Sequence, residues 1–145
     1  MPNVGERAVE LFLKDKFCCA EAVWLALAES DNLPEDERNI GNKLATAWCG
    51  GTGASDMCGA LAGGVLVLGR YFGRIPGEGR NDQLPLYTKA LVEAFKTEYN
   101  GIYCRDLKPV GEPDEVRSLC SNFVRFVADQ VVFLLDNGLE DEDCG

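Results

Sequence analysis

The sequence predicts an all-α protein, a single-domain bundle of about six helices with a Gly-rich loop before the fourth. Three observations point there. Apolar residues recur at steps of three and four along most of the chain, while runs alternating at period two are nearly absent. At 145 residues the chain has the usual size of one domain and can bury a core without disulfide staples. Its 46% hydrophobic and 26% charged residues are a globular composition.

Taken in order, residues 4–16 place Ala8, Val9, Leu11 and Phe12 at helical spacing. A second helix is expected over 19–29, with Ala20, Val23, Trp24 and Leu27 on one side. The polar stretch 31–37 carries Pro34 and reads as a connection to a third helix over 36–48, faced by Ile40, Leu44 and Ala47. The segment CGGTGASD, residues 49–56, then breaks any helix with closely spaced glycines. A fourth helix is expected over 58–72, followed by a surface loop over 73–83 that is rich in Gly and charge. A fifth covers 84–99, with Tyr87, Leu91, Ala94 and Phe95 in phase, and Asn100-Gly101 stops it. The last starts near Pro113 and carries Val116, Cys120, Phe123, Val127, Val131, Leu134 and Leu135 as an apolar seam, ending at Asn137-Gly138. Residues 1–138 are thus expected to form one all-helical domain, and 139–145 an acidic tail.

Composition narrows the chemistry. The 24 acidic and 14 basic residues, a net charge of -10, argue against nucleic acid and against an anionic membrane surface. There is no His, which removes His-based triads and His metal ligands. No basic-then-apolar leader opens the chain, and the apolar stretch 60–68 is about half of what a membrane crossing needs. The expected location is the cytoplasm, where disulfides are uncommon and thiols point to metal, cluster or redox chemistry.

Sulfur is what remains, in seven cysteines: Cys18, Cys19, Cys49, Cys58, Cys104, Cys120 and Cys144. Cys58 follows the Gly-rich loop at a helix start, where backbone amides and the helix dipole favour a thiolate. Ser55 or Asp56 suits the cap of that helix. Gly59, Gly63 and Gly64 leave room there for a cofactor or for another helix. Cys19 also sits at a helix start, with Ala22, Val23 and Ala26 on its side, so it ranks above the adjacent Cys18, which reads as a packing or exposed residue. Cys104 has Arg105 beside it, suited to holding an anion. Cys120 lies on the seam of the last helix and points inward. Cys49 is the candidate fifth member, and Cys144 lies in the tail. Trp48 and Tyr103 stand near candidate ligands as possible shields from water. No Cys-x-x-Cys occurs, so neither a zinc ribbon nor a thioredoxin-like dithiol is supported.

These residues resemble the C_GCAxxG_C_C family of small redox-active proteins, which has four characteristic cysteines. Cys58-Gly59-Ala60-Leu61-Ala62-Gly63 matches its Cys-Gly-Ala-x-x-Gly element. Cys19-Ala20-Glu21-Ala22-Val23 is similar to its first Cys segment, Cys104-Arg105-Asp106-Leu107 to its third, and Cys120 to its fourth. An aromatic residue is common in that family in place of Cys49. The resemblance implies a cytosolic redox protein that carries a cluster or reactive thiols. The chain is also similar in part to the split-Soret cytochromes, although haem ligation of their type cannot apply without His.

The expected function is that of a cysteine-dependent redox or electron-transfer protein. Cys19, Cys58, Cys104 and Cys120 are the expected ligands of an iron–sulfur cluster, and Gly59 and Gly63 the glycines beside it. Thiol–disulfide chemistry or sulfur carriage ranks second, with Cys58 as the attacking thiolate. A structural zinc module ranks third. A redox partner protein is implied, and the GVLVLG stretch, residues 64–69, is a candidate surface for a helix-mediated homodimer.

Overall fold

The computed structural model describes residues 3–107 and 111–139. Helices α1 (Val4–Leu13), α2 (Cys19–Ser30), α3 (Glu35–Thr46), α4 (Gly59–Phe72), α5 (Gln83–Tyr99), α6 (Cys104–Leu107) and α7 (Pro113–Asn137) follow in order. Six of them match the expected helices within a few residues. The seventh, α6, is a single turn too short to carry a periodic signal. Among the described residues no strand forms, and an isolated antiparallel bridge joins Met57 to Tyr103.

Local signals set the helix ends. Asn3 caps α1, its side chain accepting from the Glu6 amide at 2.8 Å while Glu6 accepts from the Asn3 amide at 3.0 Å. Pro113 occupies the first turn of α7, where its missing N–H costs nothing. Asn100 closes α5 in the left-handed region, at φ 63°.

The core is built around α2, α4 and α7, which all pack on one another, with α1 on α2 and α7, and α5 on α4 and α7. Small residues allow this. Ala20, Ala22, Ala26 and Ala28 of α2 are buried, and α4 contributes Gly63 and Gly64. A Cβ on Gly63 would lie 2.8 Å from the Ala20 carbonyl oxygen, so α2 and α4 cross almost backbone to backbone. A Cβ on Gly64 would lie 2.5 Å from Val127 and 2.9 Å from Leu91. Gly64→Ala is therefore expected to cost about 1–3 kcal/mol by overpacking, read as a lower urea midpoint with an unchanged slope.

Three expectations change. On α3 the apolar residues Ile40 and Leu44 face solvent, 60% and 58% exposed, and the buried positions are Gly41 and Ala45. The flat Trp24 indole, whose Nε1 donates to the Arg38 carbonyl at 3.0 Å, lies against Gly41 and leaves no room for a larger side chain. The stretch 64–69 is largely covered by the chain itself: Gly64, Val67 and Leu68 are buried, and Val65 and Leu66 are half-buried. Finally, α7 is by length and composition apolar enough to cross a membrane, more so than the stretch at 60–68. It carries Arg117, Arg125 and Asp129, however, and buries Phe123, Val124, Val127, Ala128 and Val131 against four other helices, as a core helix does.

Candidate functional site

Four of the expected cysteines converge. Cys19, Cys58, Cys104 and Cys120 line one cavity of about 190 Å³, together with Phe12, Cys18, Gly50, Gly59, Leu107, Val116, Arg117 and Phe123. That is more than ten times the roughly 10–15 Å³ that admits a single water, so it is not a packing flaw. Cys19 opens α2, Cys58 precedes α4, Cys104 opens α6 and Cys120 lies in α7.

The chain holds these positions by different means. Cys58 occupies the N-cap of α4, without a side-chain hydrogen bond there, so neither Ser55 nor Asp56 takes that place. Its amide donates to the Ile102 carbonyl at 2.7 Å, and the Cys104 amide donates to the Asp56 carbonyl at 2.6 Å. This pair of bonds flanks the Met57–Tyr103 bridge and locks Cys58 and Cys104 to one short ladder. A Cβ at Gly51 would lie 2.9 Å from Cys104 Cβ, and one at Gly59 would collide with Cys19 Sγ and come within 2.8 Å of the Trp48 carbonyl. Gly59 thus keeps the cavity wall open. Gly63, the other glycine expected beside a cofactor, instead serves the α2–α4 crossing and does not line the cavity.

Burial governs the thiols. Cys58 and Cys104 are only 5% and 8% exposed. Burial pushes the Cys58 thiol up to about 12, while the amides of Leu61 and Ala60 pull it the other way and lose. Burial likewise raises Cys19, against amide hydrogen bonds from Ala20 and Gly50. The helix start was expected to favour a thiolate, but removing the charge from water outweighs those amides. In the absence of a bound cation, Cys58 therefore keeps its proton at neutral pH. Its alkylation by iodoacetamide at pH 7.5 should be about tenfold or more slower in the native metal-free chain than in urea, and should rise steadily as pH approaches 12. Equal rates in the two states would show an open, ordinary thiol.

Other placements depart from expectation. Cys18 and Cys49 pair with each other in a disulfide, with Cα atoms 5.7 Å apart. Cys18 is thus more than a packing residue, and Cys49 is not a fifth member of the cavity set. Their approach is fixed by the turn of chain after α3, which a pattern of separate helices does not reveal. Arg105 does not face a thiol: it stacks 4.5 Å from the Tyr103 ring centroid and lies 3.8 Å from the Asp56 carboxylate. Trp48 and Tyr103 do not line the cavity. Phe12 and Phe123 do.

Arg117 was missed by the sequence reading. It is the one charged side chain among the described lining residues. Its guanidinium carbon sits 4.2 Å from the Phe12 ring centroid, and its Nη2 donates to the Phe12 carbonyl. Its place three residues before Cys120, on the same face of α7, was the available signal. Cys144 and the tail from 140 onward fall outside the described residues.

Residues 17–133 match the family described as "Putative redox-active protein (C_GCAxxG_C_C)". An uncharacterized protein of Archaeoglobus fulgidus is 34% identical over 114 residues, covering 71% of this chain and 72% of that protein. No solved structure matches at a significant level. With that match spanning all four cavity cysteines and most of the chain, the protein belongs to the C_GCAxxG_C_C family of redox-active proteins.

Proposed function

We propose that the four-cysteine cavity holds an iron–sulfur cluster, and that the protein works as an electron-transfer or redox module in the cytoplasm with a protein partner. The observation that carries this reading is the convergence of Cys19, Cys58, Cys104 and Cys120, three from helices and Cys58 from the N-cap of a fourth, on one cavity. The donor set suits the group. Besides Cys18, which is held in its disulfide, four cysteine sulfurs line the cavity, no carboxylate lines the described wall, and there is no His in the chain. A Cys-ligated cluster supplies one-electron transfer at a potential tuned by hydrogen bonds and solvent access.

The chain's own residues then have defined tasks. The four cysteines bind. The amides of Leu61 and Ala60 donate toward Cys58 sulfur, and those of Ala20 and Gly50 toward Cys19, offsetting negative charge on sulfur. Phe12, Leu107, Val116 and Phe123 exclude water. Arg117 places a positive charge at the wall, where it partly balances an anionic site.

The test is iron, sulfide and zinc content with a visible absorption spectrum, on protein purified without oxygen. Iron and sulfide in near-equal amounts, with visible absorption bleached by dithionite, are expected. Zinc alone would replace this reading by a structural site. No metal, with thiols that pair on mild oxidation, would replace it by thiol–disulfide chemistry.

A further inference from the structure

We propose that the Cys18–Cys49 disulfide is a second redox site, one that exchanges with dithiol reductants and in doing so controls the wall of the four-cysteine cavity. The proposal does not depend on which cofactor the cavity takes.

The disulfide is placed where its state must be felt. Cys18 is the N-cap of α2 and lines the cavity beside Cys19. Cys49 is followed by Gly50, which also lines the cavity and whose amide bonds the Cys19 sulfur. Both ends of the bridge are therefore continuous with cavity wall.

The loop that Cys49 leads into is held against its local preference. Gly50, Gly51 and Gly53 have φ of 65°, 62° and 71°, and the side-chain-bearing Thr52 and Ser55 have φ of 62° and 57°. Left-handed backbone at such residues persists only where the surroundings enforce it. The far end of the loop is tied by the Asp56 and Cys58 hydrogen bonds to Cys104 and Ile102. The near end is tied by the disulfide. Opening the bridge releases the covalent tie at the near end, leaving there the Gly50 amide on Cys19 sulfur and the Thr52 amide on the Trp48 carbonyl at 3.4 Å, and the loop can relax away from Cys19.

The pair is also built to re-form. Glu21 accepts from the Cys18 amide at 2.9 Å and from the Thr46 hydroxyl at 2.7 Å, joining the start of α2 to the end of α3. A carboxylate oxygen of Glu21 and both sulfurs lie within 4.8 Å of one another. That latch needs no disulfide and ends at Thr46, three residues before Cys49, so it holds α2 to α3 after reduction while leaving the loop beyond free to move, and the pair can meet again.

The exchange balances as follows. A thiolate of the dithiol attacks Cys49 Sγ, the sulfur that does not line the cavity, and the Cys18–Cys49 bond breaks. The electron pair goes to Cys18 Sγ, which takes a proton from solvent. The second thiol of the reductant attacks its own sulfur in the mixed disulfide, and Cys49 leaves and is protonated in turn. The reductant departs as a disulfide, having given two electrons and two protons to the pair.

The test uses the full-length protein, as purified and after metal removal. It is titrated with dithiothreitol and then with oxidised glutathione, quenched by alkylation and mapped by mass spectrometry. Cys18 and Cys49 are expected to cycle together while the far-UV circular dichroism stays unchanged. In the metal-free chain, labelling of Cys19 should rise about tenfold when the pair is reduced, the scale of a local opening. The double variant Cys18→Ala, Cys49→Ala should label Cys19 at the fast rate under oxidising conditions too. A pair that reduces only in denaturant, a pair that never forms in oxidised native protein, or a Cys19 rate indifferent to the pair would each overturn the proposal. Iron and sulfide content measured in parallel separates its failure from that of the cluster reading.

Discussion

Serine in place of Cys58 is expected to abolish cofactor occupancy and redox activity while leaving the fold nearly intact. Cys58 is 5% exposed and lines the cavity, so its loss removes one of four converging donors. Loss of a donor should exceed the effect of disturbing an outer partner, which already costs about 10–100-fold in metal affinity. The fold should tolerate the change because serine is close in size and Cys58 sits at the N-cap of α4, a position serine favours. The expected change in stability is within about 1 kcal/mol. The measurement pairs iron and sulfide content with urea unfolding. A variant that keeps full iron and sulfide would remove Cys58 from the site. A variant that loses both cofactor and fold would make the cysteine a packing residue first.

Truncation of Phe95 to alanine carries the largest expected cost to stability. Phe95 is fully buried in α5, with ring centroids of Tyr99, Phe123 and Phe126 at 5.0, 5.9 and 6.2 Å. Removing it leaves a cavity where α5 meets α7, at about 3–5 kcal/mol. Against a total stability of roughly 5–15 kcal/mol, that is a large share of what holds the domain together. A fall in Tm of about 10 °C or more should follow. Phe123, which packs on Phe95, also lines the four-cysteine cavity, so thiol labelling there should speed up as well. A loss of less than about 1 kcal/mol would mean that α5 can close onto α7 without the ring.

The helices were legible because their signals are local. Asn3 with Glu6, Pro113, and Asn100 mark ends that need no tertiary contact to be recognised. The apolar seam of α7 was legible for the same reason, since Phe123, Val127 and Val131 recur at a helical period and are all buried. The face of α3 was not. Period alone selects Ile40 and Leu44, but the shape of the Trp24 ring selects Gly41, and that ring belongs to another helix.

The cysteines divide along the same line. Cys58 and Cys19 stood out from their place at helix starts, and Cys104 and Cys120 from their order along the chain, as the family pattern has them. For Cys58 and Cys19 the thiolate preference expected from the helix start is outweighed by burial, because the helix start is a local feature while desolvation depends on everything packed around the sulfur. Arg117 and Phe12 were passed over because each looks ordinary within its own helix. They matter only where α1 and α7 meet.

The sequence alone specifies an all-α chain of acidic charge, free of His, rich in cysteine, with Cys19 and Cys58 at helix starts; the turn that Cys104 opens is too short to be legible. These properties belong to single residues and to spacings within one turn. The tertiary packing alone brings four of the cysteines to one cavity, pairs Cys18 with Cys49, and raises the Cys58 thiol by burial in the metal-free chain. The physical reason is range. Helix periodicity and capping act over three or four residues, whereas convergence, pairing and desolvation are set by the α2–α4–α7 packing that brings distant segments together.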